Sequence, residues 1–266
     1  NMTAGTTIKV GTLDGIRTLG GSVFTINAAA ASSTIGSPLN LVNSLSLVVN
    51  DGAATNDLVI SGPISNAGAV TKSGAGTVLI SGTNTSTGAL TISAGIVQVG
   101  DGTTNGALGT GAITNNATLV LNRSDALSVP NTISGTGSLI HNGAGTVTLG
   151  GTNTYTGGTT VNAGVLAIDG DSLSDDGQLV IGGTGKVDVT NNETVQKLFF
   201  GASEQAIGTY GATGSGATFI DDTRFSGTGI VTVTGAGYSS WITTFGLAVG
   251  DQGAADPLGI AEMVDI

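Results

Sequence analysis

The sequence predicts an all-β chain that folds as a parallel β-solenoid and ends in an aromatic-rich C-terminal cap. Three observations predict this fold: a composition of strand and turn residues, a segment that occurs twice, and very short apolar strands within that segment. The segment reads SGAGTVLISGTNTSTGALTISAG at residues 73–95 and NGAGTVTLGGTNTYTGGTTVNAG at residues 142–164. A catalytic site has no reason to occur twice, whereas a structural coil has.

The composition limits both the fold and the partners. Gly numbers 46 in 266 residues, charged residues make up 9%, and much of the rest is Thr, Asn, Ser and Ala between Val, Ile and Leu. Branched side chains suit pleated strands, and Gly and Asn suit turns. The net charge of −11 argues against nucleic acid and anionic membranes, and the absence of Cys excludes disulfides and thiol chemistry. No apolar run approaches the roughly 18 residues of a membrane-spanning segment.

The two copies show an alternation with a period of two residues. At an offset of 69 positions, Val97 corresponds to Leu166, and such sites stay apolar in both copies. Other sites change character between the copies: Leu79 becomes Thr148, Leu90 becomes Thr159 and Gln98 becomes Ala167. This pattern predicts strands with one buried face.

Strands this short cannot bury their own apolar side chains, so each coil must cover its neighbour, as in a solenoid. If the offset makes three coils, each coil takes roughly 23 residues, and about eight coils stack some 4.8 Å apart. Asn84 and Asn153 are expected at matching turns, where they would hydrogen-bond along the axis. A β-sandwich of many short strands is the alternative, but it does not explain the offset.

The two copies, near residues 64–99 and 133–168, resemble the autotransporter-associated β-strand repeat, also called the passenger-associated transport repeat. The second copy matches the pattern fully, including Tyr155, whereas the first has Ser86 at that position. The resemblance implies a right-handed parallel β-helix on the outside of a bacterium. It brings no catalytic residues with it.

The C-terminal third has a different composition. Eight of the ten aromatic residues lie between Phe199 and Phe245. We expect a solenoid over residues 1–197, terminal strands that form the cap over 198–235, and a short tail over 236–266. The tail segment GYSSWITTFGLAVGDQGAAD at 237–256 resembles surface proteins of planctomycete- or verrucomicrobia-like bacteria, and part of it fits an amphipathic helix.

Three sets of residues are candidate sites. Tyr238, Trp241 and Phe245 are predicted to form an interface for another subunit or a glycan. Asp169, Asp171, Asp175 and Asp176 form either a solvated loop or a calcium site, because Ca²⁺ prefers carboxylate oxygens. His141 is the only histidine and matches Lys72 at a turn, so we expect a solvated side chain without a catalytic role.

The preferred interpretation is an extracellular structural or adhesive solenoid that associates with copies of itself, without catalytic residues or a cofactor other than calcium. Residues 20–26 and 219–233 are then expected to pair with other chains. The alternative is a passenger adhesin that binds a glycan or a host surface. A third interpretation is a polysaccharide-degrading β-helix enzyme that uses carboxylates such as Asp175 and Asp221.

Overall fold

The computed structural model describes residues 7–8, 16–18, 21–170 and 172–235, and every regular element in these ranges is a β-strand. In chain order the strands are β1 (Thr7–Ile8), β2 (Ile16–Arg17), β3 (Ser22–Ile26), β4 (Ser33–Ile35), β5 (Leu39–Asn40), β6 (Leu45–Val49), β7 (Leu58–Ile60), β8 (Ile64–Ser65), β9 (Val70–Ser73), β10 (Thr77–Ile80), β11 (Leu90–Ile92), β12 (Ile96–Val99), β13 (Ile113–Asn115), β14 (Thr118–Leu121), β15 (Leu127–Val129), β16 (Ile133–Ser134), β17 (Ser138–His141), β18 (Thr146–Leu149), β19 (Thr159–Val161), β20 (Val165–Ile168), β21 (Gln178–Ile181), β22 (Lys186–Val189), β23 (Glu193–Val195), β24 (Lys197–Phe200), β25 (Ser203–Glu204), β26 (Gly208–Gly211), β27 (Phe219–Ile220), β28 (Phe225–Ser226) and β29 (Val231–Val233). The chain divides into two units after Thr234, and the strands belong to the first.

The strands form a β-solenoid of about nine turns with three faces, which confirms the predicted fold class. The long face is the 11-stranded sheet, β1-β4-β7-β10-β12-β14-β17-β19-β21-β24-β25, which is parallel up to β24. The second face is the six-stranded sheet, β16-β13-β11-β9-β6-β3. The third face is formed by the three-stranded sheet β2-β5-β8 in the early coils and by the five-stranded sheet β15-β18-β20-β22-β28 in the later ones.

From β7 onward the coils are shorter than the offset suggested. Val78, Val97, Leu119 and Leu139 stack in register on the long face, so these coils take about 20 residues each, whereas the earlier coil from Ile35 to Ile60 takes 25. Val147, the counterpart of Val78, lies on the third face, where it pairs with Leu127. The prediction that the offset makes three coils was therefore wrong, because it spans three coils plus one face, and a coil of roughly 23 residues occurs only early in the chain, as between β3 and β6.

We call the turn between two adjacent faces, together with the strand on either side of it, a corner. Each copy of the repeat consists of two such corners, one stacked on the other in successive coils. In the first copy β9 pairs with β11 and β10 with β12, on the second and long faces. In the second copy β17 pairs with β19 and β18 with β20, on the long and third faces. Because the contacts are internal to the pair of corners, the same sequence forms the same unit on different faces.

A single apolar core runs through the solenoid, because alternate residues of each strand point inward. The inward side chains Leu119, Leu139 and Leu179 are fully buried on the long face. Each such side chain stabilises the fold by about 1.5–3 kcal/mol relative to exposure. A coil therefore depends on the coils above and below it for its burial.

The last strands pair differently from the coils. β25 runs antiparallel to β24, and β26 runs antiparallel to β29. β29 also pairs with β23, so both of its edges are occupied within the chain. The expectation that residues 219–233 pair with other chains is therefore wrong for β29, since a strand with two neighbours has no backbone groups left to offer.

The register predicts a sharp difference between two substitutions on neighbouring faces. Leu139→Ala should lower the free energy of unfolding by about 2–5 kcal/mol, because it opens a cavity in the core. Thr148→Ala, on the exposed side of β18, should change it by no more than about 0.5 kcal/mol. Urea unfolding followed by circular dichroism measures both, and equal losses would contradict the register.

Candidate functional site

Two matched polar residues lie inside the corners of the repeat. Lys72 is 1% exposed, and its Nζ donates hydrogen bonds to the carbonyl oxygens of Gly74, Gly76 and Ala94 at 2.6, 2.5 and 2.8 Å. The corner turns these carbonyls inward, and the Gly76 oxygen also accepts a hydrogen bond from the Ile96 amide at 3.3 Å. Burial lowers the pKa of Lys72 to about 8, although Asp57 and Asp51 act in the opposite direction. The buried ammonium group therefore supplies hydrogen-bond donors to the inward-facing carbonyls of this corner.

His141 occupies the same place in the second copy. It is fully buried, with Nε2 at 3.1 Å from the Gly145 oxygen and Nδ1 at 3.3 Å from the Leu121 oxygen. The expectation of a solvated side chain was wrong, because position 141 points into the corner rather than out of the turn. Both nitrogens face backbone carbonyls, so the structure gives this histidine a role in the fold.

Tyr155 fills the interior of the second copy. It is 1% exposed, and its hydroxyl lies 2.6 Å from the Thr159 hydroxyl. Thr159 is itself buried and faces inward, although its counterpart is Leu90. The change from Leu to Thr is thus explained by the tyrosine that it contacts, and not by exposure to solvent.

The first copy has a small cavity at the corresponding place. Ser86 and Leu90 line it, and its volume is about 50 Å³. Ser86 donates its hydroxyl to Asn84 at 2.7 Å, so it folds back on the turn instead of reaching the core. Asn131 also lines the cavity, and its Oδ1 has no hydrogen-bond partner. The departure from the repeat pattern at Ser86 is therefore accompanied by looser packing.

Asn153 joins three successive coils through their backbones. Its Oδ1 accepts a hydrogen bond from the Ile133 amide at 2.8 Å, and its Nδ2 donates to the Ser172 oxygen at 2.7 Å. The residue is 4% exposed. Hydrogen bonding along the axis was expected here, but the partners are backbone groups rather than stacked asparagines.

Glu193 is a buried carboxylate that was not among the residues predicted from the sequence. It is 2% exposed, and its Oε2 accepts hydrogen bonds from the amides of Ser172 and Leu173 at 2.9 and 3.2 Å. Burial raises the pKa of Glu193 to about 7, against these hydrogen bonds, and Asp175 adds to the rise. The sequence signal was a glutamate at an inward position of ETV, two residues before the buried Val195.

The predicted calcium loop lies between β20 and β21. Asp175 and Asp176 are exposed, and the Asp169 carboxylate accepts a hydrogen bond from Asn191 Nδ2. Asp171 lies outside the described residues. Within the described part of the chain, no three or more His, Asp or Glu side chains are grouped to hold a metal ion. The calcium site stays a prediction, which calcium titration calorimetry tests.

The carboxylate of Asp221 pairs with groups of the turn that follows β27. Its Oδ2 lies 2.7 Å from Arg224 Nη1, and its Oδ1 accepts a hydrogen bond from the Thr223 amide at 3.0 Å. The Arg224 guanidinium stacks 4.4 Å over the Phe200 ring, which also contacts Tyr210 edge to face. These contacts hold the terminal strands together. The predicted interface residues Tyr238, Trp241 and Phe245 lie outside the described residues.

A row of hydroxyl side chains runs along the outside of the second face. Consecutive members pair in register on neighbouring strands, about 4.8 Å apart. This hydroxyl row consists of Ser46, Thr71, Thr91, Thr114 and Ser134. No outward residue of the six described strands on this face is charged. The face can therefore donate and accept hydrogen bonds at regular intervals.

Two substitutions of Tyr155 should separate packing from hydrogen bonding. Tyr155→Ser should lower the free energy of unfolding by about 3–5 kcal/mol, because it empties the interior of the coil. Tyr155→Phe should cost about 1 kcal/mol, since only the bond to Thr159 is lost. Urea unfolding distinguishes them, and similar losses in both variants would show that the hydroxyl pair, not the ring, holds this corner.

Glu193 should make stability depend on pH. Between about pH 4.5 and 7 the folded chain keeps a proton on Glu193 that the unfolded chain releases. The contribution of Glu193 to the free energy of unfolding is therefore largest below pH 4.5 and is lost as the pH rises through 7. Glu193→Gln should remove this part of the dependence.

The measurement is the difference in urea midpoint between the native chain and Glu193→Gln at several pH values across that window. The difference cancels the other acidic groups, which both proteins share. A constant difference would contradict the raised pKa.

Comparisons with known proteins agree with these features. The family model of the passenger-associated transport repeat matches residues 70–99 and 139–168, which confirms the two predicted copies. The adhesin BmaC autotransporter of Brucella suis biovar 1 (strain 1330) is 38% identical over 174 residues, which cover 60% of this chain and 5% of the adhesin. The chain thus spans a small fraction of that relative's length.

No solved structure matches the chain. The resemblance suggested for residues 237–256 gains no support from these matches. Among the described residues, no helix is long and apolar enough to cross a membrane. The chain thus contains two passenger-associated transport repeats on an all-β solenoid and is a secreted or cell-surface protein.

Proposed function

We propose that the chain is a rod segment of an adhesive bacterial surface protein and that copies of it associate with one another. The similarity to an autotransporter adhesin supports the adhesive role. The stack of coils suits that role, because parallel pairing on three faces gives an extended body with long flat sides. The proposed role is non-enzymatic and needs no cofactor.

The observation that carries the self-association is the distribution of charge. The chain has a net charge of −11, yet the outward residues of the described strands are uncharged on the second face. Among the described outward side chains of the long face up to β24, Lys197 is the only charged side chain. Charges are placed in turns and on the third face, as at Lys186 and Asp188. Two copies can therefore bring uncharged faces together without like-charge repulsion.

Negative-stain electron microscopy and sedimentation velocity, with and without Ca²⁺, test this proposal. We expect paired or bundled rods whose proportion rises with protein concentration. Single rods at every concentration in both conditions would overturn the self-association. A difference between the two conditions would also test the calcium site predicted at the loop before β21.

Glycan binding is the second candidate function, and the hydroxyl row favours it. Regular hydroxyl groups on an uncharged face match the hydroxyl groups of a neutral glycan. Replacing Thr71, Thr91 and Thr114 together by Val keeps the shape of the face and removes three hydroxyl groups. Binding to a glycan array should fall by about tenfold or more, since each hydrogen bond contributes about 1 kcal/mol.

The matched control for the triple variant is Thr148→Val, which removes an exposed hydroxyl from the third face. It should bind as the native chain does. Unchanged glycan binding in the triple variant, or an equal loss in the control, would exclude the hydroxyl row as the contact surface.

The enzyme interpretation has less support. Asp175 and Asp221 lie in separate loops, after β20 and after β27, and Asp221 is paired with Arg224. Incubation with polysaccharides tests it directly. New reducing ends that depend on either carboxylate would contradict the non-enzymatic role.

A further inference from the structure

A second regular row lies on the outside of the long face. Its members alternate with the buried core residues of the same strands and pair in register from β4 to β24. The apolar row consists of Thr34, Val59, Leu79, Gln98, Val120, Ile140, Thr160, Val180 and Phe199. Six of these nine side chains are apolar, although they point away from the core. Leu79 and Val120 are buried within the chain, and the other four are half-buried.

The apolar row differs from the other two faces in composition. In the same coils, the outward side chains of the second face carry hydroxyl groups. The outward side chains of the third face include Asp188 and Lys186. Ile140, Val180 and Phe199 keep part of their apolar surface exposed in the isolated chain. A sheet face with alternating burial usually turns polar groups outward, so an apolar outer row calls for a partner.

The geometry of the row indicates what kind of partner fits. Its side chains repeat at the strand spacing of about 4.8 Å, and two sheets pack face to face about 10 Å apart when their side chains interdigitate. A partner that matches this spacing along the whole row must itself be a long β-sheet, as the face of a β-solenoid is. A second copy of this chain has the required spacing, and the outward side chains of its long face from β4 to β24 include no carboxylate, the first being Glu204 on β25.

The size of the face fits a reversible contact. Nine strands span about 38 Å, and strands of three or four residues are about 10–13 Å wide, so the footprint on two copies is at most about 800–1,000 Å² in total. The area newly buried is smaller, because Leu79 and Val120 are already buried within the chain. Stable interfaces bury at least about 1,000 Å² in total, and smaller ones are transient. We propose that two copies of the chain associate side by side through the apolar rows of their long faces. This rests on the self-association proposed above and assigns it to one surface.

Charge substitutions on the row test the assignment. Ile140→Lys combined with Val180→Lys places two cations at half-buried outward positions, so the solenoid itself should keep its circular dichroism spectrum and unfolding midpoint. The dissociation constant measured by sedimentation equilibrium should rise by about tenfold or more. Thr148→Lys adds a cation to the third face and is the matched control, which should associate as the native chain does.

The absence of Cys in the chain permits a second test that does not rely on loss of association. Ile140 is half-buried and lies one strand from the centre of the row. Ile140→Cys therefore places two thiols within about 15 Å of each other, whether the copies run parallel or antiparallel. A flexible bismaleimide that spans this distance should give a covalent dimer of Ile140→Cys. The control Thr148→Cys should stay monomeric.

The outcomes separate the surface from the function. If the native chain associates but the double lysine variant associates equally well, the apolar row is wrong and self-association stands. If Thr148→Cys cross-links as well as Ile140→Cys, the row is again excluded. If the native chain is monomeric at every concentration, the self-association proposed above fails as well.

Discussion

The structure depends on one constraint: each coil must place its apolar side chains directly over those of the coil before it. Parallel pairing in register fixes this, because a shift by one residue would turn Leu119 and Leu139 outward. Strands of two to five residues have no core of their own, so the stack is the core. A repeat that contains two stacked corners satisfies the constraint locally. That explains how the same sequence serves two different pairs of faces.

The corners impose a second requirement. A chain that turns three times per coil leaves backbone carbonyls and amides pointing inward, and buried polar groups need partners. Lys72, His141, Asn153 and Glu193 meet this need with four different chemical groups. Their shared property is position, since each side chain points from a corner into the interior. Polar residues in this solenoid are therefore buried where the backbone demands a donor or an acceptor.

The repeat and the period-two alternation were enough to predict the solenoid, because both follow from local sequence. The coil length could not be predicted in this way. The offset between the copies fits three coils of roughly 23 residues as well as three shorter coils plus one face. His141 was expected in solvent because a polar residue before a glycine-rich turn looks solvated, and only the three-dimensional course of the corner shows that it points inward. Glu193 was missed because it follows the polar residues Asn191 and Asn192, although its spacing of two from Val195 was a signal. The exchange of Leu90 for Thr159 was misleading for a related reason, since its explanation is the distant Tyr155.

The outer surface is as ordered as the interior, and for the same reason. Once coils stack in register, equivalent outward positions of successive coils form a row. A residue type that is favoured at one such position is therefore repeated along the axis of the solenoid. On the second face the preference is for hydroxyl groups, and on the long face it is for apolar side chains. A single weak contact is repeated at each strand of a face. A solenoid can in this way form an extended adhesive surface without any residue that acts as a site on its own.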